Sequence, residues 1–409
     1  MLAATALFLL SFLGLVGAVN ALRPSHAGAR PALRPWWFPA LVTAEAVPVR
    51  IAVHGVLAAL LMGAGALEHR AGRVGLALTV VTWSGYVALQ VRAGRARGVM
   101  AATLAEMGID ATGFASVEWP RVLAAYPYRL PRDVERVEDV EYAPGLHLDV
   151  YRSRGLGPGP HPAILQIHGG SWSGGNRRQQ ARPLLHRLAR RGWVCVAASY
   201  PLAPAATFPE PLIGLKRAVA WMRAEGAAFG IDPHFVAVTG GSAGGHLASL
   251  LALTANRPQY QPGFEAADTS VQAAVPAYGI YDLVNRNDTR DEWPVIPSAL
   301  MKATKIDAPE RYREASPLDQ VHEGAPPFLV IHGAADSLVP AAEARQFVAA
   351  LRTVSQAAVG YAEIPGANHA FDVLDSLRTH HVISGVVRFL DAVRTGAAAP
   401  RAADKDSPR

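Results

Sequence analysis

The chain has 409 residues, half of them hydrophobic and 18% charged, with a mean hydropathy of +0.15. That composition can bury a large core and excludes wholesale disorder. The net charge of +6 is concentrated at one end: residues 1–97 hold nine Arg, no Lys and two Glu, and the rest is near neutral. This excludes a nucleic-acid footprint over the main body, and a single cysteine, Cys195, excludes an internal disulfide or a Cys-cluster zinc site.

Three uncharged apolar runs come first, at residues 1–22, 51–67 and 74–91; the second extends back to 47 if Arg50 is tolerated near its end. A bilayer core needs about 20 helical residues, so the pattern predicts three transmembrane helices, about 2–22, 47–67 and 74–91, within a membrane region 1–98. The first run also reads as a secretory signal with Val19-Asn20-Ala21 as cleavage site. Against that reading, no Lys or Arg precedes its long apolar core. Trp36-Trp37 is placed for the membrane interface. Arg70 and Arg73 lie on the Met1 side. Arg23, Arg30, Arg34, Arg92, Arg95 and Arg97 lie on the other, with Arg50 at the same boundary. The bias predicts a multi-pass cell-membrane protein whose main domain is cytoplasmic.

Residues 99–133 read as a linker or possible cap. A short helix fits 99–107, whereas Tyr126-Pro127-Tyr128-Arg129-Leu130-Pro131 is no helix because two prolines interrupt it. Over 134–396 the pattern alternates. Residues 137–142 and 146–151 form a hairpin around Pro144-Gly145, and further strands are predicted at 163–167, 193–199, 235–239, 273–278, 328–331 and 359–364. Helices are predicted at 179–191, 212–225, 245–255, 341–353 and 380–395. This is an α/β class: a mostly parallel sheet with helices on both faces. Cys195 sits in an apolar run and reads as a buried structural thiol. The Ala- and Pro-rich tail 397–409 reads as disordered.

Gly240-Gly241-Ser242-Ala243-Gly244-Gly245 follows a strand and opens a helix. G-x-S-x-G in that setting is a nucleophile elbow, with small residues because the turn is crowded. Gln166-Ile167-His168-Gly169-Gly170-Ser171-Trp172 closes an earlier strand. There Gly169 and Gly170 are placed to offer one oxyanion donor or two, and Ala243 N–H the other. His168 reads as holding the loop, and Trp172 as lining a substrate pocket. A nucleophilic serine needs an acid and a base in the order Ser, Asp/Glu, His. Asp336 and His369 follow strands in that order, on the sheet edge where open α/β folds gather their sites. Asp282 and Asp372 compete for the acid's role, while His246 and His332 read as packing and loop support. Residues 285–316 and 99–131 are candidate lids.

On these motifs the chain resembles an α/β-hydrolase over about residues 134–394. It is similar to the carboxylesterase branch that includes hormone-sensitive-lipase-like and feruloyl-esterase-like enzymes, and to membrane-anchored actinobacterial carboxylesterases. The motifs are His168-Gly169-Gly170, Ser199-Tyr200-Pro201-Leu202-Ala203-Pro204, the Ser242 elbow, Asp336 and His369. Ser171 replaces the lipase-like branch's third glycine, Pro201 replaces an arginine, and Gly214 stands where an acidic residue is expected. The resemblance implies a membrane-anchored serine esterase working through an acyl-enzyme, without metal or cofactor, on a small-molecule ester or lipid. Short or medium acyl esters are expected over long-chain triglycerides. A serine peptidase or a lipid acyltransferase would share the triad, although prolyl-oligopeptidase-type elbows carry Tyr where Ala243 stands. A membrane scaffold with an inactive hydrolase domain is the non-enzyme alternative, and fluorophosphonate labelling separates it from the others.

Overall fold

The computed structural model describes residues 1–23, 36–124 and 130–398. Arg30, Arg34, most of the 126–131 stretch and nearly all of the predicted disordered tail lie outside the described residues. In chain order come helices α1 (Leu2–Leu22), α2 (Trp37–Glu45), α3 (Val47–Gly63), α4 (Arg70–Gly94), α5 (Ala96–Glu106) and α6 (Trp119–Ala124). There follow β1 (Val134–Ala143), β2 (Leu146–Ser153), β3 (His161–Ile167), α7 (Arg182–Arg190), β4 (Val194–Ala198), α8 (Glu210–Ala224), β5 (Ile231–Gly241), α9 (Ala243–Leu253) and β6 (Ala273–Ala277). Last come α10 (Pro309–Glu314), β7 (Phe328–Gly333), α11 (Ala341–Val354), β8 (Val359–Ile364) and α12 (Leu377–Arg394).

The eight strands form one sheet in the order β1-β2-β4-β3-β5-β6-β7-β8. Strand β2 runs antiparallel to both neighbours, and every pair from β4 to β8 is parallel. The central strands β4 and β7 are buried along their whole length, as strands covered on both faces must be. The core lies in two layers: one face of the sheet packs on α8, α9 and α11, the other on α5, α7 and α12. Cys195, buried in β4, donates its thiol to Leu185 O at 3.5 Å.

Two N-terminal helical stretches, Leu2–Leu22 and Arg70–Glu106, are long and apolar enough to cross a membrane. The predicted middle span is shorter than expected. Helix α3 ends at Gly63 because Gly65 takes a left-handed φ of +80°. At 17 residues it is about 25 Å long, and it makes a third span only as a broken pair with α2, bent by 87°. Helices α1 and α4 touch closely: a Cβ at Gly75 would lie 2.8 Å from the Phe8 backbone nitrogen, the small-residue contact that suits apolar helices. Ser11 and Thr79 share a 2.7 Å hydrogen bond across this contact, and Thr82 donates to Ser11 O at 3.1 Å.

Helix α5, at the start of the segment expected as a linker or cap, lies on the flank of the sheet. Helix α5 continues α4 and packs on α12 and β8 through buried Met100 and Leu104, with Thr103 Oγ1 donating to Tyr361 O at 3.0 Å. The apolar face that reads as a linker helix is filled by the sheet's own flank. Helix α2 is bound to the same domain. Glu45 forms a fully buried ion pair with Arg378 at the start of α12, and Ser376 Oγ donates to Glu45 Oε2 at 2.7 Å.

Breaking one side of such a pair strands a buried charge and costs about 3–5 kcal/mol, whereas replacing both partners by apolar residues is far better tolerated. Glu45→Gln should therefore lower the thermal midpoint of the full-length protein in detergent more than the double change Glu45→Leu, Arg378→Met. A smaller loss in the single variant would count against a structural role for the pair.

Candidate active site

Ser242 sits between β5 and α9 with φ +59° and ψ −124°, a conformation that costs a non-glycine residue about 1–3 kcal/mol and persists only where the surroundings fix it. Its N–H donates to Ala277 O at the end of β6 (3.0 Å), and its carbonyl accepts from His246 N in α9 (3.0 Å). The serine is thereby pushed up from the sheet's C-terminal edge into a cavity of about 460 Å³. The cavity is lined by Ser242, His369, Gly170, Ser171, Ser173, Gln180, Leu338, Ala370, Trp37 and residues 293–295.

His369 Nδ1–H donates to Asp336 Oδ2 at 2.8 Å. The other carboxylate oxygen of Asp336 accepts the N–H groups of Leu338 (2.9 Å) and Val339 (2.8 Å), and His332 Nε2 lies 3.5 Å from Oδ2. Burial alone would raise the pKa of this carboxyl. The charge of His369 and the hydrogen bonds from His332 and His369 outweigh burial and hold it well below the usual carboxylate range. Asp336 is thus a fixed anion beside His369. The two rival acids are engaged elsewhere: Asp282 pairs with Arg286 at 3.0 Å, and Asp372 accepts from Tyr278 Oη.

Two side chains that the sequence reading missed join the loops. Asn368 Oδ1 accepts from Ser337 N at 3.0 Å and from His369 N at 2.7 Å, stitching the acid loop to the histidine loop. Gln180 Oε1 accepts from Gly169 N at 2.7 Å. Of the two glycines considered as oxyanion donors, Gly169 therefore already has a partner. Among the described residues no acceptor is seen for Gly170 N–H or Ala243 N–H. Gly170 has φ +125°, and a Cβ there would fall 2.2 Å from Gly174 O. Ser171, at the position of the lipase-like branch's third glycine, holds φ +53°.

Trp172 does not line the cavity. It is fully buried, with φ +58°, and its indole N–H donates to His246 Nδ1 at 3.0 Å. The ring turns inward because that is where its N–H finds an acceptor. His246 in turn donates from Nε2 to Ala315 O at 2.7 Å, and burial pushes its pKa down to about 4. The pair pegs the glycine loop to the elbow helix. His168 is likewise structural: Nδ1–H donates to Gly169 O at 2.8 Å and the ring stacks on Tyr200 at 4.4 Å. The pocket walls come instead from Trp37 of α2 and from Trp293, Pro294 and Val295 of the segment expected as a lid.

Comparison with known proteins follows the same lines. Residues 148–351 match the BD-FAE family. Over 272 residues the chain is 44% identical to Esterase LipQ of Mycobacterium tuberculosis, covering 65% of this chain and 64% of that protein. It is 46% identical over 271 residues to the same organism's Probable carboxylic ester hydrolase LipM, covering 63% of it. Esterase LipC, also from that organism, is 41% identical over 300 residues, which are 71% of this chain and 74% of LipC. Among solved structures, apo Thermogutta terrifontis esterase 2 aligns with a TM-score of 0.54 at 24% identity, covering 68% of this chain and 99% of that one. A truncated carbohydrate esterase from gut microbiota aligns at 0.56 and 20% identity, covering 64% and 96%. These two likenesses concern the fold.

The glycine geometry yields a direct test. Gly170→Ala should slow covalent labelling of Ser242 by a fluorophosphonate by about a hundredfold or more, the scale of losing one oxyanion donor. Gly155→Ala, in a turn with an ordinary φ and no atom within 4 Å of an added Cβ, should label at the wild-type rate. Equal rates for the two variants would remove Gly170 from the site.

Proposed function

The chain belongs to the BD-FAE family of α/β-hydrolases, and we propose that it is a membrane-anchored serine esterase with the triad Ser242, His369 and Asp336. The observation that carries the reading is the convergence of an elbow-strained Ser242 and an Asp336-bonded His369 on one cavity. His369 takes the proton from Ser242 Oγ as the oxygen attacks the ester carbonyl. The charge that develops on the carbonyl oxygen is met by the N–H groups of Gly170 and Ala243, each worth roughly 3–4 kcal/mol to the transition state. Asp336 fixes the His369 tautomer and stabilises the imidazolium. His369 then gives the proton to the departing alcohol. Water, deprotonated by His369, attacks the acyl-enzyme, releases the carboxylic acid and restores Ser242. Ester hydrolysis is in keeping with the names of the mycobacterial relatives. Fluorophosphonate reactivity has a precedent in the Thermogutta esterase, whose structure is also known phosphonylated by sarin.

Anchoring rests on α1 and α4 as spans and on the bent pair of α2 and α3 as a third, with α3 as its transmembrane arm. The C-terminal ends of α1 and α4 and the start of α3 all lie toward the hydrolase: Arg92 Nη1 donates to Leu22 O at 3.0 Å, and Glu45, just before α3, pairs with Arg378. Close packing of α1 on α4 supports a retained helix over a cleaved signal. The arginine bias favours a cytoplasmic hydrolase.

Two measurements test this reading. Ser242→Ala should reduce kcat for p-nitrophenyl ester hydrolysis by up to about a millionfold, and Asp336→Asn by about 10⁴, with Asp282→Asn far milder. Activity of Ser242→Ala within tenfold of wild type would refute the triad. For topology, GFP fused after Arg394 should fluoresce and alkaline phosphatase at the same site should be silent. The reverse pattern would place the hydrolase outside.

A further inference from the structure

Trp37 belongs to α2, outside the hydrolase fold, yet it lines the catalytic cavity. Its indole stands edge-on to the His369 imidazole, ring centroids 6.3 Å apart. Helix α2 is held there by Leu41, buried in the hydrolase core, and by the Glu45–Arg378 pair at its other end. Its neighbours point away from the domain: Trp36 is 49% exposed and Phe38 56%. With α3 taken as crossing the bilayer, as proposed above, its 87° bend from α2 would lay α2 along the bilayer surface, with Trp36 and Phe38 as interfacial aromatic anchors. The histidine loop packs against the end of α4. An added Cβ at Gly366, three residues before His369, would lie 3.4 Å from Arg92 Cδ at the end of α4.

We propose that Trp37 is a specificity-determining residue of this esterase, and that the ester it selects is a lipid ester drawn from the membrane interface. The inference rests on the esterase and membrane reading above and names its substrate class. The ester carbonyls of membrane lipids lie at the boundary between headgroups and acyl chains, level with a cavity walled by α2. An acyl group that reaches Ser242 packs between Trp37 on one side and Trp293 and Val295 on the other. In such a pocket a single methylene changes discrimination by about 10–200-fold, so removing an indole from the wall changes which chains fit.

The test uses the full-length protein in phosphatidylcholine vesicles with p-nitrophenyl acetate and p-nitrophenyl decanoate. Trp37→Ala should raise the ratio of kcat/KM for decanoate to that for acetate by about tenfold or more. Trp37→Phe, which keeps a ring in the wall and the packing of α2, should move the ratio the same way by less. At fixed bulk decanoate, adding phosphatidylcholine should lower the wild-type rate as the ester's mole fraction in the bilayer falls. An unchanged ratio, or equal loss on both esters, makes Trp37 merely structural and overturns its role. A rate indifferent to dilution, or turnover of acetate with none of decanoate, overturns the interfacial substrate and leaves the esterase reading standing. A wild-type protein that turns over neither ester overturns that reading and this inference with it.

Discussion

The left-handed backbone at Ser242 is the constraint on which the rest of the site depends. It holds only because three backbones meet around it: the end of β3, the end of β5 and the start of α9. A Cβ at Gly244 would lie 2.1 Å from Ile167 O, and one at Gly240 would lie 2.4 Å from Gly244 O. Side chains at either position would separate the strand ends from the helix and release the turn. The run of glycines is therefore a packing requirement first, and the serine turned into the cavity is its consequence. Helix α9 is buried along its whole length, and that burial offsets the local strain.

Loops around this rigid centre are fixed by buried charge. Asp149, fully buried in β2, takes Arg177 at 2.9 Å and Arg178 beside it, both from the loop that follows Gly170. Arg177 also donates to Ser199 Oγ at 2.8 Å. Glu343 on α11 pairs with Arg290 at 2.6 Å and accepts from Tyr281 N at 3.0 Å, while the Arg290 guanidinium lies 5.2 Å from the Trp293 ring centroid. Asp336 is held by two backbone N–H groups before it meets His369. Buried pairs of this kind add little net stability over apolar packing. What they supply here is position, since an uncompensated charge is costly enough to forbid the alternative loop arrangements.

Much of this was legible in the sequence, for physical reasons. Strands covered on both faces are short apolar runs, so β3 to β8 stand out between helical periods, and the Pro144-Gly145 turn marks the β1–β2 hairpin. The residues of the proposed triad follow strand ends in a fixed order, so Ser242, Asp336 and His369 stand out from the sequence alone. Residues whose partners lie far away in the chain were not readable. Nothing near Glu45 announces Arg378, 333 positions on, and α2 is nine residues with no clear period. Gln180 and Asn368 act through single hydrogen bonds that no local pattern encodes, and Trp172 was misread because aromatic residues after a glycine turn fit a pocket wall and a core peg equally. Two of the three departures from the carboxylesterase pattern, Pro201 and Gly214, turn out to be neighbours. A Cβ at Gly214 would lie 2.6 Å from Pro201 Cδ, so the proline at 201 leaves room only for glycine at 214.

The helices at the N-terminus and the catalytic domain form one mechanical unit. Helix α4 runs through Arg95 into α5, α5 packs on α12 and β8, and β8 leads directly to the loop that carries His369. From the other side α2 brings Trp37 to the same histidine. A domain tethered by a flexible linker would sample all orientations above a membrane and meet substrate from the water. A domain docked through two helices holds one orientation, with the histidine loop beside the ends of the apolar helices. The excess of arginine in the first 97 residues then has a place in the same arrangement: Arg23, Arg50, Arg92 and Arg95 gather at the ends of α1, α3 and α4 that meet the hydrolase. In the proposed membrane arrangement, positive charge at that boundary would face anionic headgroups and set the depth of the cavity.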